Sequence, residues 1–374
     1  MKFIPVNEPL LDGNEKKYLN ECIETGWISS EGPFVKRLEE GMAEYTGRKY
    51  GIAVCNGTAA LEVAVNALPL EKGDEVIMPT FTIISCASAL VKRGIKPVLV
   101  DAYADTWNMD VSQIEEKITN QTKAIMVVHI YGMPVDMDAV LDIAERYGLL
   151  VIEDAAEAHG LKYKGRMCGS FGDISIMSFY PNKHVTTGEG GIVLTDNEKY
   201  AERCRSLRNL CFKPERRFLH DELGFNYRMS NIQAAVGVAQ LEKIEEHIKK
   251  KYWIGKRYTE LLKNNEKYDI PVAKKEYAHN IYWVFSLVIK DVVNLNAEEA
   301  IKKLADLGVG CRPFFYPMHK QPVFHKMGLF ENEEYPVSER IAEKGFYVPS
   351  GLALTEAAME EVADKVKKVI QMIK

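Results

Sequence analysis

A short polar segment, Asn56-Gly57-Thr58, directly follows the apolar run at 51–55 and precedes a stretch with helical spacing of apolar residues. The first turn of a helix carries unpaired N–H groups and a partial positive charge, so it attracts anions. A phosphate group bound here is therefore one interpretation. The other is that Asn56 or Thr58 only caps the helix. No GxxxxGK[ST] or GxGxxG motif occurs, which excludes the P-loop and dinucleotide fingerprints.

Two ionisable residues occupy positions where water is scarce. Asp154 ends the apolar run at 149–154, which cannot solvate a carboxylate, so Asp154 either pairs with a cation or has a raised pKa. Lys183 lies between an apolar segment and the glycine-rich turn at 188–191. A poorly solvated lysine has a lowered pKa and becomes a nucleophile that can condense with an aldehyde. The plain alternatives are a capping or salt-bridged Asp154 and a surface-loop Lys183.

Taken together, these groups match what pyridoxal 5′-phosphate (PLP) demands of a protein. The lysine would bind the aldehyde of the cofactor, and the helix N-terminus would bind its phosphate. The aspartate would keep the pyridine nitrogen protonated, which makes the ring an electron sink. Each signal is weak alone, and the combination predicts a PLP site.

The elements that must position these groups alternate between strand and helix. Short apolar or β-branched runs, typical of strands covered on both faces, occur at 51–55, 75–79, 96–101, 124–131, 149–154 and 191–195. Helically spaced apolar residues lie between them at 59–68, 85–94, 111–118 and 136–148. This alternation predicts an α/β fold with a mostly parallel sheet. Ligands of such sheets bind beyond the carboxyl ends of the strands, where His129 and Glu153 also lie.

The second half of the chain has a different pattern. Ser230 and Gln233 form a capping box, which predicts the start of a long helix over about 231–262. It is followed by a predicted strand, a helix, an extended segment and a terminal helix, at 281–289, 297–308, 310–317 and after Thr355. We predict a large domain over 1–244 and a smaller α+β domain over 245–374.

Composition excludes several classes of protein. The 374 residues are 47% apolar and 27% charged, as in an ordinary globular chain. The net charge of -5 argues against a nucleic-acid-binding protein. Seven scattered cysteines without a CxxC pair predict neither disulfides nor a metal site. Neither a signal-peptide pattern nor an apolar run long enough for a membrane span is present, so we expect a cytoplasmic protein without a membrane partner.

Longer motifs resemble one known family along essentially the whole chain. They are TGWISSEGPFVKRLE (25–39), NGTAAL (56–61), GDEVIMPTFT (73–82), KPVLVD (96–101), EDAAEAHG (153–160), FYPNKHVTTGEGG (179–191), GFNYRMSNIQAA (224–235) and RPFFYPMH (312–319). Together they resemble the DegT/DnrJ/EryC1/StrS sugar aminotransferases. The resemblance implies the aspartate-aminotransferase-like fold (PLP-dependent transferase fold type I), PLP as cofactor, and L-glutamate as the expected amino donor.

The same resemblance implies roles for single residues. Lys183 would be catalytic and would bind PLP covalently, Asp154 would pair with the pyridinium nitrogen, and Glu157 would lie near the ring hydroxyl. The phosphate would contact Gly57, Thr58 and Ser178. Asn226 would reach the phosphate of the neighbouring subunit, which implies a homodimer with shared sites. Tentative substrate residues are Trp27, Ser29, Arg312, Tyr316 and His319. Trp27 and Tyr316 are equally well explained as packing residues.

Two positions depart from the pattern of the family. Relatives often carry an aromatic residue that stacks on the cofactor where this chain has Ile83. Either an aliphatic contact replaces the stacking, or Phe81 compensates. Pro181 stands where glycine is common, which stiffens the backbone before Lys183. A related dehydratase branch has histidine at the lysine position, so Lys183 favours transamination over dehydration.

The acceptor implied by the resemblance is a nucleotide-linked 4-keto-6-deoxysugar used in surface polysaccharide biosynthesis. One alternative is a small phosphorylated ketone such as dihydroxyacetone phosphate. Another is a non-catalytic PLP-binding regulator. A regulator would usually carry an added DNA-binding segment, and we expect that the start at Met1 leaves no room for one. The carbon that is aminated and its stereochemistry do not follow from the residues.

Overall fold

The computed structural model describes residues 3–213 and 215–371. In chain order its strands are β1 (Tyr50–Val54), β2 (Glu75–Pro79), β3 (Lys96–Val100), β4 (Thr122–Val128), β5 (Leu150–Asp154), β6 (Lys162–Tyr163), β7 (Arg166–Met167), β8 (Ile174–Ser178), β9 (Gly191–Thr195), β10 (Tyr268–Asp269), β11 (Lys274–Lys275), β12 (Ala278–His279), β13 (Phe285–Ile289), β14 (Arg312–Pro313) and β15 (Gly345–Val348).

The helices connect and cover these strands. They are α1 (Glu15–Thr25), α2 (Pro33–Thr46), α3 (Gly57–Ala67), α4 (Ile84–Lys92), α5 (Met137–Tyr147), α6 (Glu198–Arg208), α7 (Asn231–Glu242), α8 (Ile244–Leu262), α9 (Ala297–Asp306), α10 (Pro322–His325), α11 (Pro336–Lys344) and α12 (Glu356–Gln371). Three short 3-10 turns occur at Val111–Gln113, Glu115–Lys117 and Met318–Lys320. In the part of the chain that is described, no helix is both long and apolar enough to cross a bilayer.

The central sheet has seven strands in the order β1-β9-β8-β5-β4-β2-β3. Strand β9 runs antiparallel to both of its neighbours, and the pairs from β8 to β3 are parallel. The mostly parallel sheet that the sequence predicts is confirmed. Because β1, β5 and β8 run in one direction, their carboxyl ends meet at one edge of the sheet.

Both faces of this sheet are buried, as the near-continuous apolar runs require. Successive residues of a strand point to opposite faces. Accordingly, Val76 and Met78 belong to one apolar cluster with α3, whereas Ile77 between them belongs to a second cluster with α2 and α7. The sheet is therefore a rigid middle layer that fixes the residues at its edge.

A second, four-stranded antiparallel sheet has the order β10-β13-β15-β14. It contributes to a third apolar cluster with residues of α8, α9 and α12. Ile4 belongs to this cluster and forms a β-bridge with Val309, so the N-terminal segment contacts the smaller unit, which is the four-stranded sheet with the helices that pack on it. The division of the chain at 244/245 stays a prediction.

Two helix predictions are wrong in detail. The segment 111–118 forms two 3-10 turns, and the backbone is extended again at Ile118 (φ -73, ψ 128). Asp110 caps the first turn: its carboxylate accepts the N–H of Ser112 at 3.0 Å and the side-chain amide of Gln113 also at 3.0 Å. The predicted helix over 231–262 is interrupted at Lys243, whose backbone angles (φ -107, ψ 8) are not helical. The capping box at the start of α7 is confirmed.

Candidate active site

A cavity of about 650 Å³ lies where the carboxyl ends of β1, β5 and β8 meet. The protein therefore brings its predicted polar groups together at the edge of the sheet, as the strand directions require. Its lining includes six of the seven predicted cofactor residues, Gly57, Thr58, Asp154, Glu157, Ser178 and Lys183.

The candidate phosphate site is the first turn of α3. The structure shows both a helix cap and groups that suit a phosphate at this turn. Asn56 is the N-cap: its side-chain oxygen accepts the N–H of Ala59 at 2.8 Å. The hydroxyl of Thr58 lies 2.8 Å from that of Ser85 across the cavity wall. A Cβ added at Gly57 would lie 2.8 Å from the Cβ of Ser178, so only glycine lets α3 begin this close to the end of β8. Hydroxyls and first-turn N–H groups thus share one small region that suits a phosphate.

Asp154 ends β5 and is almost completely buried. Burial raises the pKa of its carboxyl group, although hydrogen bonds oppose that change. The N–H of Ala156 donates to Oδ1 at 2.9 Å, and the thiol of Cys86 donates to Oδ2 at 3.2 Å. Within the described ranges no lysine, arginine or histidine forms a salt bridge with Asp154. The protonated nitrogen of a bound pyridine ring fits such a carboxylate as its missing cationic partner.

Lys183 lies in the connection between β8 and β9, and its side chain is only 9% exposed, so the surface-loop alternative is wrong. The N–H of Lys183 donates to the carbonyl of Tyr180 at 2.9 Å, which turns the chain inward. Its Nζ lies 3.9 Å from Oε1 of Glu157 and 4.0 Å from the ring centre of Trp283. Burial lowers the pKa of Lys183, and the negative charges of Glu157 and Asp154 oppose this change. Burial thus favours the neutral, nucleophilic form of the amine, whereas the two carboxylates favour its charged form.

Glu157 completes the group of ionisable residues around Lys183. Its carboxyl group is buried and accepts the main-chain N–H of Tyr131 at 2.9 Å. Burial raises the pKa of Glu157, and the nearby charge of Lys183 opposes this change. A carboxyl group with these neighbours can hold a proton near the amine, or hydrogen-bond to a ring hydroxyl of a ligand.

Comparison with known proteins agrees with this chemistry. The family model described as DegT/DnrJ/EryC1/StrS aminotransferase family matches residues 9–367. The chain belongs to this aminotransferase family. The GDP-perosamine synthase of Escherichia coli O157:H7 is 40% identical over 368 residues, covering 98% of this chain and 99% of that protein. The GDP-perosamine synthase of Caulobacter vibrioides is 39% identical over 371 residues, covering 98% of both. The crystal structure of DesV from S. venezuelae is 28% identical, covers 98% of both chains and has a TM-score of 0.90.

Membership of the DegT/DnrJ/EryC1/StrS family confirms several predictions together. The protein is a PLP-dependent aminotransferase, its cofactor is PLP, and its fold is the aspartate-aminotransferase-like α/β fold. The cavity fits this cofactor, because it combines a helix N-terminus, a buried carboxylate without a cationic partner and a buried amine. The individual roles of the lining residues stay predictions.

The two departures from the family pattern have different outcomes in this aminotransferase. Ile83 lines the cavity and is 41% exposed, so an aliphatic contact is available at that position. Phe81 is completely buried and packs edge-to-face against Tyr131, with ring centres 6.0 Å apart. Phe81 therefore does not compensate for the missing aromatic residue. The carbonyl of Pro181 accepts the side-chain amide of Asn7 at 2.9 Å, which ties the N-terminal segment to the loop of Lys183.

The predicted substrate residues lie outside the cavity lining. Arg312 and Tyr316 are exposed. Arg312 in β14 lies opposite Tyr347 in the neighbouring strand β15, and Tyr347 does line the cavity. Trp27 is 51% exposed, and its loop is held by Asn231, which hydrogen-bonds to the carbonyls of Trp27 and Ser29 at 2.7 and 2.8 Å. Asn226, the remaining predicted cofactor residue, is also exposed and lies outside the cavity lining of its own chain.

His319 is a correction, because the structure contradicts a direct contact of its ring with substrate. The ring is 1% exposed, and both of its nitrogens have protein partners. Nδ1 lies 2.7 Å from the hydroxyl of Thr80, and Nε2 lies 2.9 Å from Oε1 of Glu339. His319 thus links the end of β2 to α11.

His129 and Glu153 lie at the predicted edge of the sheet but form a separate buried pair. The N–H of Val135 donates to Nδ1 of His129, so Nε2–H donates to Glu153 at 2.9 Å. Glu153 also accepts the N–H groups of Gly169 and Phe171 at 2.6 and 2.8 Å. This network stabilises the fold beside Asp154 and does not line the cavity.

No site role was predicted for several residues of the cavity wall, although two of them, Tyr227 and Phe315, lie within the motifs at 224–235 and 312–319. Trp283, Phe315 and Tyr347 reach the cavity from the smaller unit, and Tyr227 reaches it from the segment before α7. Only the aromatic run at 281–285 carried a signal for Trp283, and that run predicts a strand as well as a site. Long-range packing alone brings these residues to Lys183.

Proposed function

We propose that this aminotransferase moves the amino group of L-glutamate to the keto group of a nucleotide-linked 4-keto-6-deoxysugar. The observation that carries the proposal is the buried amine of Lys183, held 3.9 Å from Glu157 in the cavity that also contains Asp154. The sugar acceptor is supported by relatives named GDP-perosamine synthase, which match nearly the whole chain at 36–40% identity.

The residues that would hold the cofactor surround the cavity on three sides. Lys183 would bind it covalently, and Asp154 would pair with its ring nitrogen. The first turn of α3 and the hydroxyl groups of Thr58 and Ser178 would bind its phosphate, and Glu157 would contact its ring hydroxyl. When bound, PLP supplies the electron sink that makes the carbon next to the amino group acidic.

Lys183 would then carry the proton transfers of the reaction. The amino group of the donor would first take the place of Lys183 on the cofactor, which frees the Nζ of Lys183. The freed Nζ would then take the proton from the amino-bearing carbon of the donor and deliver it to the cofactor, so it must be neutral when it begins. The buried position provides this condition because it lowers the pKa of Lys183. Glu157, 3.9 Å away, would hold the released proton close to the amine.

The charges of the cavity bear on how the acceptor binds. Apart from Lys183, the lining contains a single cationic side chain, Lys92, among the residues that the structure describes. Lys92 is already paired with Glu62 at 2.5 Å. A nucleotide diphosphate therefore needs further cations or N–H donors, which we propose come from a second subunit of a homodimer.

Exposed apolar residues outside the cavity lining are available for a dimer contact. Trp27 is 51% exposed, Phe218 83% and Leu223 94%. If a second chain brings them together, they would form the kind of apolar surface that marks an interface. Such a dimer would explain why Asn226 and Trp27 lie outside the cavity of their own chain.

A comparison of acceptors tests the proposal. The PLP-loaded enzyme is supplied with L-glutamate and, separately, a GDP-linked 4-keto-6-deoxysugar, its dTDP-linked counterpart and dihydroxyacetone phosphate. We expect 2-oxoglutarate and an aminated product of the matching mass only with the sugar nucleotides. Turnover with dihydroxyacetone phosphate alone would replace the acceptor by a small phosphorylated ketone. Conversion of the cofactor by glutamate without amination of any acceptor would contradict the proposed sugar substrate.

A further inference from the structure

We propose that Trp283 and Lys251 are positioning residues for the amine of Lys183. Neither residue belongs to the motifs that resemble the family. Nζ of Lys183 lies 4.0 Å from the ring centre of Trp283, within the distance of a cation–π contact. The face of an indole ring attracts an ammonium group, so Trp283 favours one location for this amine.

The indole ring is fixed at two points. Its Nε1–H donates to the carbonyl of Asn182 at 2.9 Å, and Asn182 directly precedes Lys183. The main-chain carbonyl of Trp283 accepts a hydrogen bond from Nζ of Lys251 at 2.7 Å. The ring is therefore tied both to the loop that carries the amine and to helix α8.

Lys251 provides the second of these attachments from the interior of the protein. It is 1% exposed and also donates to the carbonyl of Ser350 at 2.6 Å. It thus joins the segment before β13 to the segment after β15, two strands that pair in the small sheet. Burial lowers the pKa of Lys251 to about 7. A neutral amine has two N–H groups, which match the two carbonyl partners.

Several charged or titratable groups surround Lys183, and Trp283 acts beside them. Asp154 at the end of β5 and Glu157 after it favour the ammonium form. A positive charge on Lys251 of α8, on His159 or on His184 would disfavour the ammonium form of Lys183. The indole is the neighbour that favours the ammonium form without titrating. Removing the ring should therefore lower the pKa of Lys183.

The direct test measures this pKa in the apo protein by competitive acetylation and mass spectrometry of the peptide that contains Lys183. We expect Trp283→Leu to lower the pKa by about 0.4 to 1.5 pH units, which corresponds to the usual strength of a cation–π contact. Trp283→Phe, which keeps an aromatic ring, should lower it less. Trp253→Leu is the matched control. Trp253 forms the same kind of contact within helix α8, where its ring centre lies 4.0 Å from Nζ of Lys250. An unchanged pKa in Trp283→Leu, or an equal change in Trp253→Leu, would overturn the proposal.

A double-mutant cycle tests the role of Lys251. Above about pH 7 Lys251 is largely neutral, so its loss acts through the hydrogen bond to Trp283. Lys251→Met should lower the pKa of Lys183 in the otherwise native protein and have no further effect in the Trp283→Leu background. An equal effect in both backgrounds would show that Lys251 does not act through the indole. Lys249→Met, at an exposed position of α8, is the control. Should Lys251→Met not fold, the Trp283 variants alone decide the proposal.

The consequence for catalysis rests on the proposed function of Lys183. There we expect Trp283→Leu to lower kcat more than it changes KM for the acceptor, because the amine is no longer held in one place. The lowered pKa alone would only favour the neutral amine. A lowered pKa with an unchanged kcat would contradict the proton-transfer role of Lys183 and leave the positioning role intact. An unchanged pKa would contradict the positioning role, whatever the turnover.

Discussion

At the scale of single residues, the charge of Lys183 depends on contacts of two kinds. Asp154 and Glu157 follow strand β5 in a short motif, so the sequence could place them at the same edge of the sheet. Trp283 and Lys251 lie 100 and 68 positions further along the chain than Lys183. No local pattern indicates contacts over such distances. The position of Asp154 and Glu157 at one edge of the sheet was therefore predictable, and the contacts of Trp283 and Lys251 around Lys183 were not.

Asp154 provides the first prediction at this scale. Asp154→Asn keeps the shape of the side chain but removes the negative charge that would hold the pyridine nitrogen protonated. We expect kcat to fall by roughly 10²–10³-fold, the range for the loss of one preorganised electrostatic group. Steady-state turnover with L-glutamate measures the loss. Asp364→Asn, at an exposed position of α12, should have no effect. Wild-type turnover of Asp154→Asn would show that this carboxylate does not assist the cofactor.

His159 provides a prediction about pH. Burial lowers the pKa of His159 to about 3. Between an unfolded pKa of about 6.5 and that value, the unfolded chain binds a proton that the folded chain does not, so stability is lost as pH falls. His159→Leu removes this proton uptake. The thermal midpoint of the apo variant should therefore fall less between about pH 7 and about pH 5 than that of the wild type.

The comparison for His159 uses an exposed histidine. His279→Leu, in strand β12, should keep the full decrease of the wild type over the same pH range. Equal decreases in the His159→Leu and wild-type proteins would mean that His159 does not contribute to acid unfolding. Circular dichroism of the apo proteins is sufficient for both measurements.

At the scale of elements, periodicity predicted the strands of the large sheet better than the connections between them. The near-continuous apolar runs of β1 to β5 are typical of strands in a sheet that is covered on both faces. The segment at 111–118 shows the limit: its apolar spacing suits a helix, but it forms only two 3-10 turns after the cap at Asp110. The predicted long helix is interrupted at Lys243, whose backbone angles (φ -107, ψ 8) are not helical and which the apolar spacing does not reveal.

The first turn of α3 allows a prediction at this scale. Asn56→Ala removes the acceptor for the N–H of Ala59 and should lower the free energy of unfolding by about 1 kcal/mol. Asn56→Ser keeps an acceptor at the cap position and should lose only part of that stability. Urea unfolding of the apo proteins gives both values. If Ala and Ser were equally destabilising, the cap would not be what stabilises the start of α3.

At the scale of the whole molecule, the shared site can be tested with mixed dimers. A dimer is prepared from one Lys183→Ala chain and one Asn226→Ala chain with different affinity tags. If Asn226 serves the neighbouring subunit, one of the two sites then has both native residues. The purified mixed dimer should recover roughly half of the wild-type activity, whereas each parent dimer stays impaired. No recovery would place Asn226 in the site of its own chain, and a fully active Asn226→Ala parent would place it in neither site.

Neither the sequence nor one chain alone could locate this interface. The motif around Asn226 resembles the family, but its side chain is exposed and the cavity of its own chain does not include it. A surface becomes part of a site only through the geometry of a second copy. Exposed apolar residues such as Leu223 are candidates for such a surface, and a single chain does not show whether another copy covers them.

The most direct test of the central claim locates the bond between the protein and its cofactor. The PLP-loaded enzyme is reduced with borohydride and digested, and the modified peptide is identified by mass spectrometry. We predict that the cofactor mass is found on Lys183 and that Lys183→Ala binds no reducible cofactor and has no turnover. Attachment at another lysine, or full turnover of Lys183→Ala, would contradict the assignment of this buried amine as the catalytic group.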